Sequence, residues 1–268
     1  RALVGTDALD ADSRERERLM GFPSFVANGA LATNITTQSM PVAVPTGTAV
    51  GDILIAQIVN KALSVVISPP SGWTEIIQGD ADCTTAADDH RAALFYKRAG
   101  LADLGASPAF TKASGTVLFA GVMSAWRGCT RVPVVIDSNF VNVTVTAAAS
   151  DTISFPTLDP HSAESHIVYF GFYGNDLTTM AAAMSVDTNP DCTTRYDLET
   201  ASGNDVTLCC TSGNNNGTNT GTRTWATAST TDAGSTGMVL ALVGAPVLPN
   251  NYWSVRVGDG MSTGERIR

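Results

Sequence analysis

Along most of the chain the apolar positions either alternate with polar ones or come in short unbroken runs. No long helical period appears after about residue 30. Residues 139–146, NFVNVTVT, alternate cleanly, with Val141, Val143 and Val145 on one face and Asn142, Thr144 and Thr146 on the other, which is the pattern of a half-buried strand. Residues 53–59, 93–97, 117–126, 167–173, 206–210 and 238–243 also read as strands, and clusters of Gly, Pro, Asn, Asp and Ser separate them. Several are apolar on both faces, above all HIVYFGFYG from His166. Such strands are covered on both faces, by a second sheet or by a neighbouring subunit. Many short strands with turn signals predict an all-β fold, a jelly-roll-like antiparallel β-sandwich.

The pattern also echoes itself. DILIAQIVN from Asp52 is similar to SHIVYFGFYGN from Ser165, RAALFYKRA from Arg91 to DVTLCCTSG from Asp205, and VMSAWRG ending at Gly128 to MVLALVG ending at Gly244. Apolar strands resemble one another by composition alone, but three segments in the same order favour an internal two-fold repeat over about 50–130 and 164–245. A four-strand unit used twice gives about eight core strands. The predicted organisation is an N-terminal arm over 1–33, a sandwich over 34–245 and an extended C-terminal tail over 246–268. The arm carries a short helix over about 13–20, because Asp12 and Glu15 form a capping-box pattern and Gly21 with Pro23 supplies a stop. The polar run TSGNNNGTNTGT, 211–222, predicts a loop tip.

Charge changes this picture in one respect. Charged residues make up 15% of the chain, against about 25% in a typical soluble domain. Thr, Ser, Asn and Gly take their place, which suits either a neutral polar coat or a surface packed against neighbours, since desolvating charge is costly. The net charge of −9 argues against a nucleic-acid partner. No apolar run approaches the roughly 20 residues of a spanning helix, so membrane insertion is not expected.

Candidate chemistry is sparse. His90, His161 and His166 sit in no HExxH pattern, and neither GxSxG nor a glycine-rich phosphate loop is present. No catalytic residue, cofactor site or dedicated metal site is assigned, and the chain is expected not to be an enzyme. Asp80, Asp82, Asp88 and Asp89 crowd one loop whose oxygens suit calcium, although a solvated acidic turn is the better reading. Of the five cysteines, Cys209 and Cys210 are adjacent in a strand and point to opposite faces. Cys210 shares the apolar face of Val206 and Leu208; Cys209 shares a face with Thr207 and Thr211 and is the candidate interchain thiol. Trp73, Trp126 and Trp225 offer rings for sugar stacking, but Trp126 lies inside an apolar strand, which leaves Trp73 and Trp225 as the carbohydrate alternative. Tyr252 and Trp253 in the tail, with Arg16 in the arm, are the interface candidates. In PPSGWTEI, from Pro69, the prolines end a strand and Gly72 permits a turn, so that stretch reads as scaffolding.

GDILIAQIV, PPSGWTEI, RAALFYKRAG, the Phe110-Thr111 strand and AWRG, behind the Arg-rich SRERERLMGFP, together resemble a family of phage virion β-sandwich proteins over about 13–244. That resemblance implies a non-enzymatic virion structural protein found on the particle surface, such as a capsid decoration or tail-associated protein. It implies self-association, expected as a homotrimer, and partners among capsid or other virion proteins. A fibre-associated carbohydrate-binding module is the alternative. The cysteines and the long C-terminal tail depart from the family pattern.

Overall fold

The computed structural model describes residues 21–83, 86, 89–130, 142–150, 152–160, 165–174, 180–184, 192–200, 206–215, 220–227 and 233–244. Among these residues the chain is all-β. The strands of the first half are β1 (Ser24–Asn28), β2 (Ala32–Asn34), β3 (Ser39–Pro41), β4 (Ile53–Asn60), β5 (Ile67–Ser68), β6 (Thr74–Ala81), β7 (His90–Arg98), β8 (Ala109–Lys112) and β9 (Phe119–Arg127). Those of the second are β10 (Asn142–Ser150), β11 (Thr152–Phe155), β12 (Ser165–Tyr173), β13 (Met180–Met184), β14 (Thr193–Glu199), β15 (Thr207–Asn215), β16 (Arg223–Thr227) and β17 (Ala233–Val243). One short 3-10 turn, Leu101–Asp103, follows β7.

The strands form four antiparallel sheets. One large sheet has the order β1-β9-β4-β7-β6, with β2 also paired to β9; the other has the order β10-β17-β12-β15-β14. Two three-stranded sheets, β3-β8-β5 and β11-β16-β13, complete the fold. The sheets stack as layers, and the alternation along the central strands explains why. In β4, Ile53, Ile55 and Val59 enter a central cluster with Val168, Phe170 and Phe172 of β12. The intervening Leu54, Ala56 and Ile58 pack with Met40, Ile67 and Phe110 under the first small sheet. In β12, Ile167, Tyr169 and Tyr173 meet Ile153, Phe155 and Trp225 of the second small sheet. Each large sheet is therefore apolar on both faces, because each face has its own cover.

The β-sandwich class expected from the pattern is the one observed, with more layers and strands than the eight foreseen. Most of the extra strands are short, with two to five residues that are too brief to carry a period, whereas β6 and β14 are longer but lie half-exposed at sheet edges with polar and apolar residues mixed. Two boundaries also differ. Residues 24–28, expected in an arm, pair with β9. Thr211–Asn215, expected in a loop tip, continue β15 and pair with β12 as far as Ser165 opposite Asn215. Ser212 there is fully buried, because its hydroxyl is hydrogen-bonded by neighbouring side chains. The helix foreseen over 13–20 and the tail over 246–268 lie outside the described residues.

Candidate functional site

The most elaborate polar arrangement lies at one edge of the space between the large sheets. His166 on β12 and Asn214 on β15 are cross-strand neighbours, and Ser212 is two residues before Asn214 on the same face. Ser212 Oγ is 2.9 Å from His166 Nε2, and Asn214 Oδ1 is 2.6 Å from His166 Nδ1. Arg195 of β14 donates from Nε to Ser212 Oγ at 2.7 Å. The ring of Trp126 lies 5.3 Å from that of His166. Burial is the main cause that pushes the His166 imidazole down to about 4; the Asn214 hydrogen bond opposes this and the Arg195 charge adds to it. The imidazole is therefore neutral at pH 7.

The order of hydroxyl, imidazole and amide copies a nucleophile, its base and an orienting group. The environment does not suit that chemistry. Ser212 is 0% exposed and its oxygen already accepts from Arg195, so an incoming carbonyl has no approach to it. What the array does is satisfy polar groups that the sheet pairing buries. A second set does the same nearer the centre: Gln57 Nε2 donates to the Gly171 carbonyl at 2.8 Å, and Tyr196 Oη donates to Gln57 Oε1 at 2.8 Å. Lys61 Nζ donates to the Gly174 carbonyl at 2.5 Å.

The candidates drawn from the sequence distribute as follows. Trp73 is 8% exposed and meets Phe110 edge-on under the first small sheet. Trp225 is 1% exposed in the cluster of the second small sheet. The two rings thus lie in separate cores, which removes them as a shared sugar-stacking platform. Trp126 and Cys210 are core residues, as expected. Cys209 is not the accessible thiol foreseen. It is 0% exposed, as is Thr207, because the second small sheet covers the face taken to be open. Burial also pushes its thiol well above the ordinary range. No disulfide links the cysteines, and Cys83 and Cys192 are the half-buried ones.

In the acidic loop, Asp80 Oδ1 pairs with Arg91 at 2.9 Å and accepts from the Ser64 amide. Asp89 Oδ1 accepts from the Cys83 amide at 2.7 Å, and Asp82 is exposed. Among the described residues no three His, Cys, Asp or Glu side chains are grouped to hold a metal. Asp88, Arg16, Tyr252, Trp253 and His161 lie outside the described residues.

A different feature was not singled out from the sequence. The Val50 loop is tied to the end of β7, since the Gly51 amide donates to the Ala99 carbonyl and the Ala99 amide to the Asp52 carbonyl. Val50 is 61% exposed, and Leu101 in the turn beyond β7 is 78% exposed. Leu104 follows in the same turn, at 38%. At this end Arg127 grips Asp52 through both carboxylate oxygens and also donates to the Gly47 carbonyl. Gly21 and Gly244 are packed against each other here, and Cys129 forms a bridge with Gly244. Three isolated apolar residues carry no sequence signal until the fold brings their loops to one end.

Comparison with protein families, with curated proteins and with solved structures gives no match to this chain. Among the described residues no helix is long and apolar enough to cross a membrane.

Proposed function

We propose that the chain is a structural protein of a phage virion, a capsid decoration protein that works by assembly and not by catalysis. The observation that carries the reading is the common end of the body. Gly21, ahead of β1, and Gly244, after β17, are packed together there. Val50, Leu101 and Leu104 are exposed at the adjoining loops. The chain thus enters β1 and leaves β17 at one place, next to apolar surface. That arrangement suits arms that engage neighbouring subunits or a capsid lattice. The low charge content and the use of the Ser212 and His166 pair and of the Gln57 and Tyr196 pair in packing support the same reading.

The full chain is expected to form a homotrimer in solution. Multi-angle light scattering measures this directly, with and without reductant. Because Cys209 is buried and none of the five cysteines is fully exposed, reductant should leave the mass unchanged. A monomer at every concentration would remove self-assembly from the proposal.

A further inference from the structure

We infer that the chain is two copies of one eight-strand unit, β2–β9 and β10–β17, paired face to face about a two-fold axis that runs along β4 and β12. We further infer that this pairing face accepts the other half of the chain and rejects a second copy of its own half.

Strand order is the first ground. Replacing each strand of the first unit by the one eight places later turns β2-β9-β4-β7-β6 into β10-β17-β12-β15-β14, and β3-β8-β5 into β11-β16-β13. Register is the second. A Cβ on Gly121 of β9 would meet Met40 of β3, and one on Gly237 of β17 would meet Phe155 of β11, so each glycine admits the small sheet of its own half. Matching these two glycines sets everything else. Gly121 pairs with Ile58 and Gly237 with Gly171, which places Gln57 on Phe170 and Lys61 on Gly174. Ile58 pairs with Ala93 and Gly171 with Cys209, which places Leu94 on Cys210. Leu94 pairs with Ile77 and Cys210 with Tyr196, which places Ile77 on Tyr196. The β-bulges of the edge strands β6 and β14 then coincide, lying between Glu75 and Ile77 in one unit and between Thr194 and Tyr196 in the other. A bulge is a local irregularity, and its return at the matched position is not a consequence of apolar composition.

The symmetry follows from what touches what. In a two-fold interface, residues near the axis meet their own counterparts, and an off-axis contact recurs with its members exchanged. Lys61 donates to the carbonyl of Gly174, its own counterpart. Gln57 donates to Gly171, one residue from its counterpart Phe170. At the margins β6 faces β10, and β14 faces β1, which lies on the same sheet edge as β2.

The two units have diverged where specificity is needed. Gln57 receives the Tyr196 hydroxyl. The symmetry-related positions hold Phe170, in the central cluster, and Ile77, half-buried against it. Two copies of the first unit would set Gln57 opposite Ile77 twice, leaving buried amide oxygens without this donor. One polar pair and one apolar pair across the axis fit only the mixed pairing.

A double-mutant cycle on the full chain tests this. Gln57→Phe and Tyr196→Ile each leave the other's polar group without its partner, so each lowers the denaturation midpoint. The double variant places Phe opposite Ile at both symmetry-related sites and should recover most of the lost midpoint. Losses that add would overturn the inference. A second test cuts the purified full chain at a protease site inserted between residues 130 and 142. Retained β-sheet circular dichroism, unchanged native mass and a midpoint that rises with protein concentration are expected. Collapse of the β signal on cutting would overturn the two-unit description.

Discussion

His166 shows how a residue that looks like chemistry is fixed by packing. Its imidazole is held neutral between Ser212 and Asn214, against Trp126 and close to the Arg195 charge, and burial pushes it down to about 4. The ordinary value is about 6.5. Between those two values the unfolded chain takes up a proton that the folded chain refuses. The contribution of this residue is therefore complete above about pH 6.5 and is lost as pH falls toward 4. A shift of this size corresponds to about 3 kcal/mol. Chemical denaturation of the wild type and of His166→Gln at a series of pH values isolates that contribution from the carboxylates, which titrate in both proteins. The wild type is expected to lose about 3 kcal/mol more than the variant between pH 7 and pH 4. Parallel profiles would show that the imidazole is protonated in the folded state.

At the level of elements, strands with an apolar run or a clean alternation were legible in the sequence, whereas most short strands and the half-exposed edge strands β6 and β14 were not. Runs 53–59, 167–173 and 238–243 could be read because both faces are buried and the apolar run is broken at most by Gln57. The repeat inferred above sets Gln57 on Phe170 and hence Ile53 on His166, one residue away from a match of the two apolar runs at Ile53 and Ile167. Ile53 points into the central cluster and Ile167 points under the second small sheet. A slip of one residue exchanges the faces of a strand, and two-sided apolar strands carry no alternation to prevent it. The same lack of a visible outer face made Cys209 look accessible. The matched glycines give the sharpest expectation at this scale. A Cβ on Gly121 would meet mainly the side-chain ends of Ile58 and Met40, which can move. One on Gly237 would strike the backbone carbonyl of Ser154, which cannot. Gly237→Ala is expected to cost roughly 1–3 kcal/mol in denaturant unfolding and Gly121→Ala clearly less. The reverse order would mean that β11 yields more readily than the side chains around Gly121.

For the whole molecule, the question is whether the terminal segments serve the fold or only the assembly, and the boundaries of the strands allow the two to be separated. β1 starts at Ser24 and β17 ends at Val243, so removing residues 1–20 or 245–268 deletes none of the described strands. Neither truncation should change the unfolding free energy by more than about 0.5 kcal/mol, as for surface changes remote from packing. Both should reduce the native mass from trimer to monomer if the arms hold neighbours. Removing residues 1–30 is a different experiment. It strips β1 from β9 and takes away Phe25, which packs edge-on against Trp126 at 5.2 Å and lies under the Arg195 guanidinium. Losing a half-buried aromatic and an edge strand should cost about 2–4 kcal/mol. Light scattering and denaturation on the three truncations therefore distinguish assembly from folding. Monomers of full stability from the two short truncations place the contacts in the arms. Trimers from both would transfer the interface to the body, where Val50 and Leu101 become the positions to substitute next.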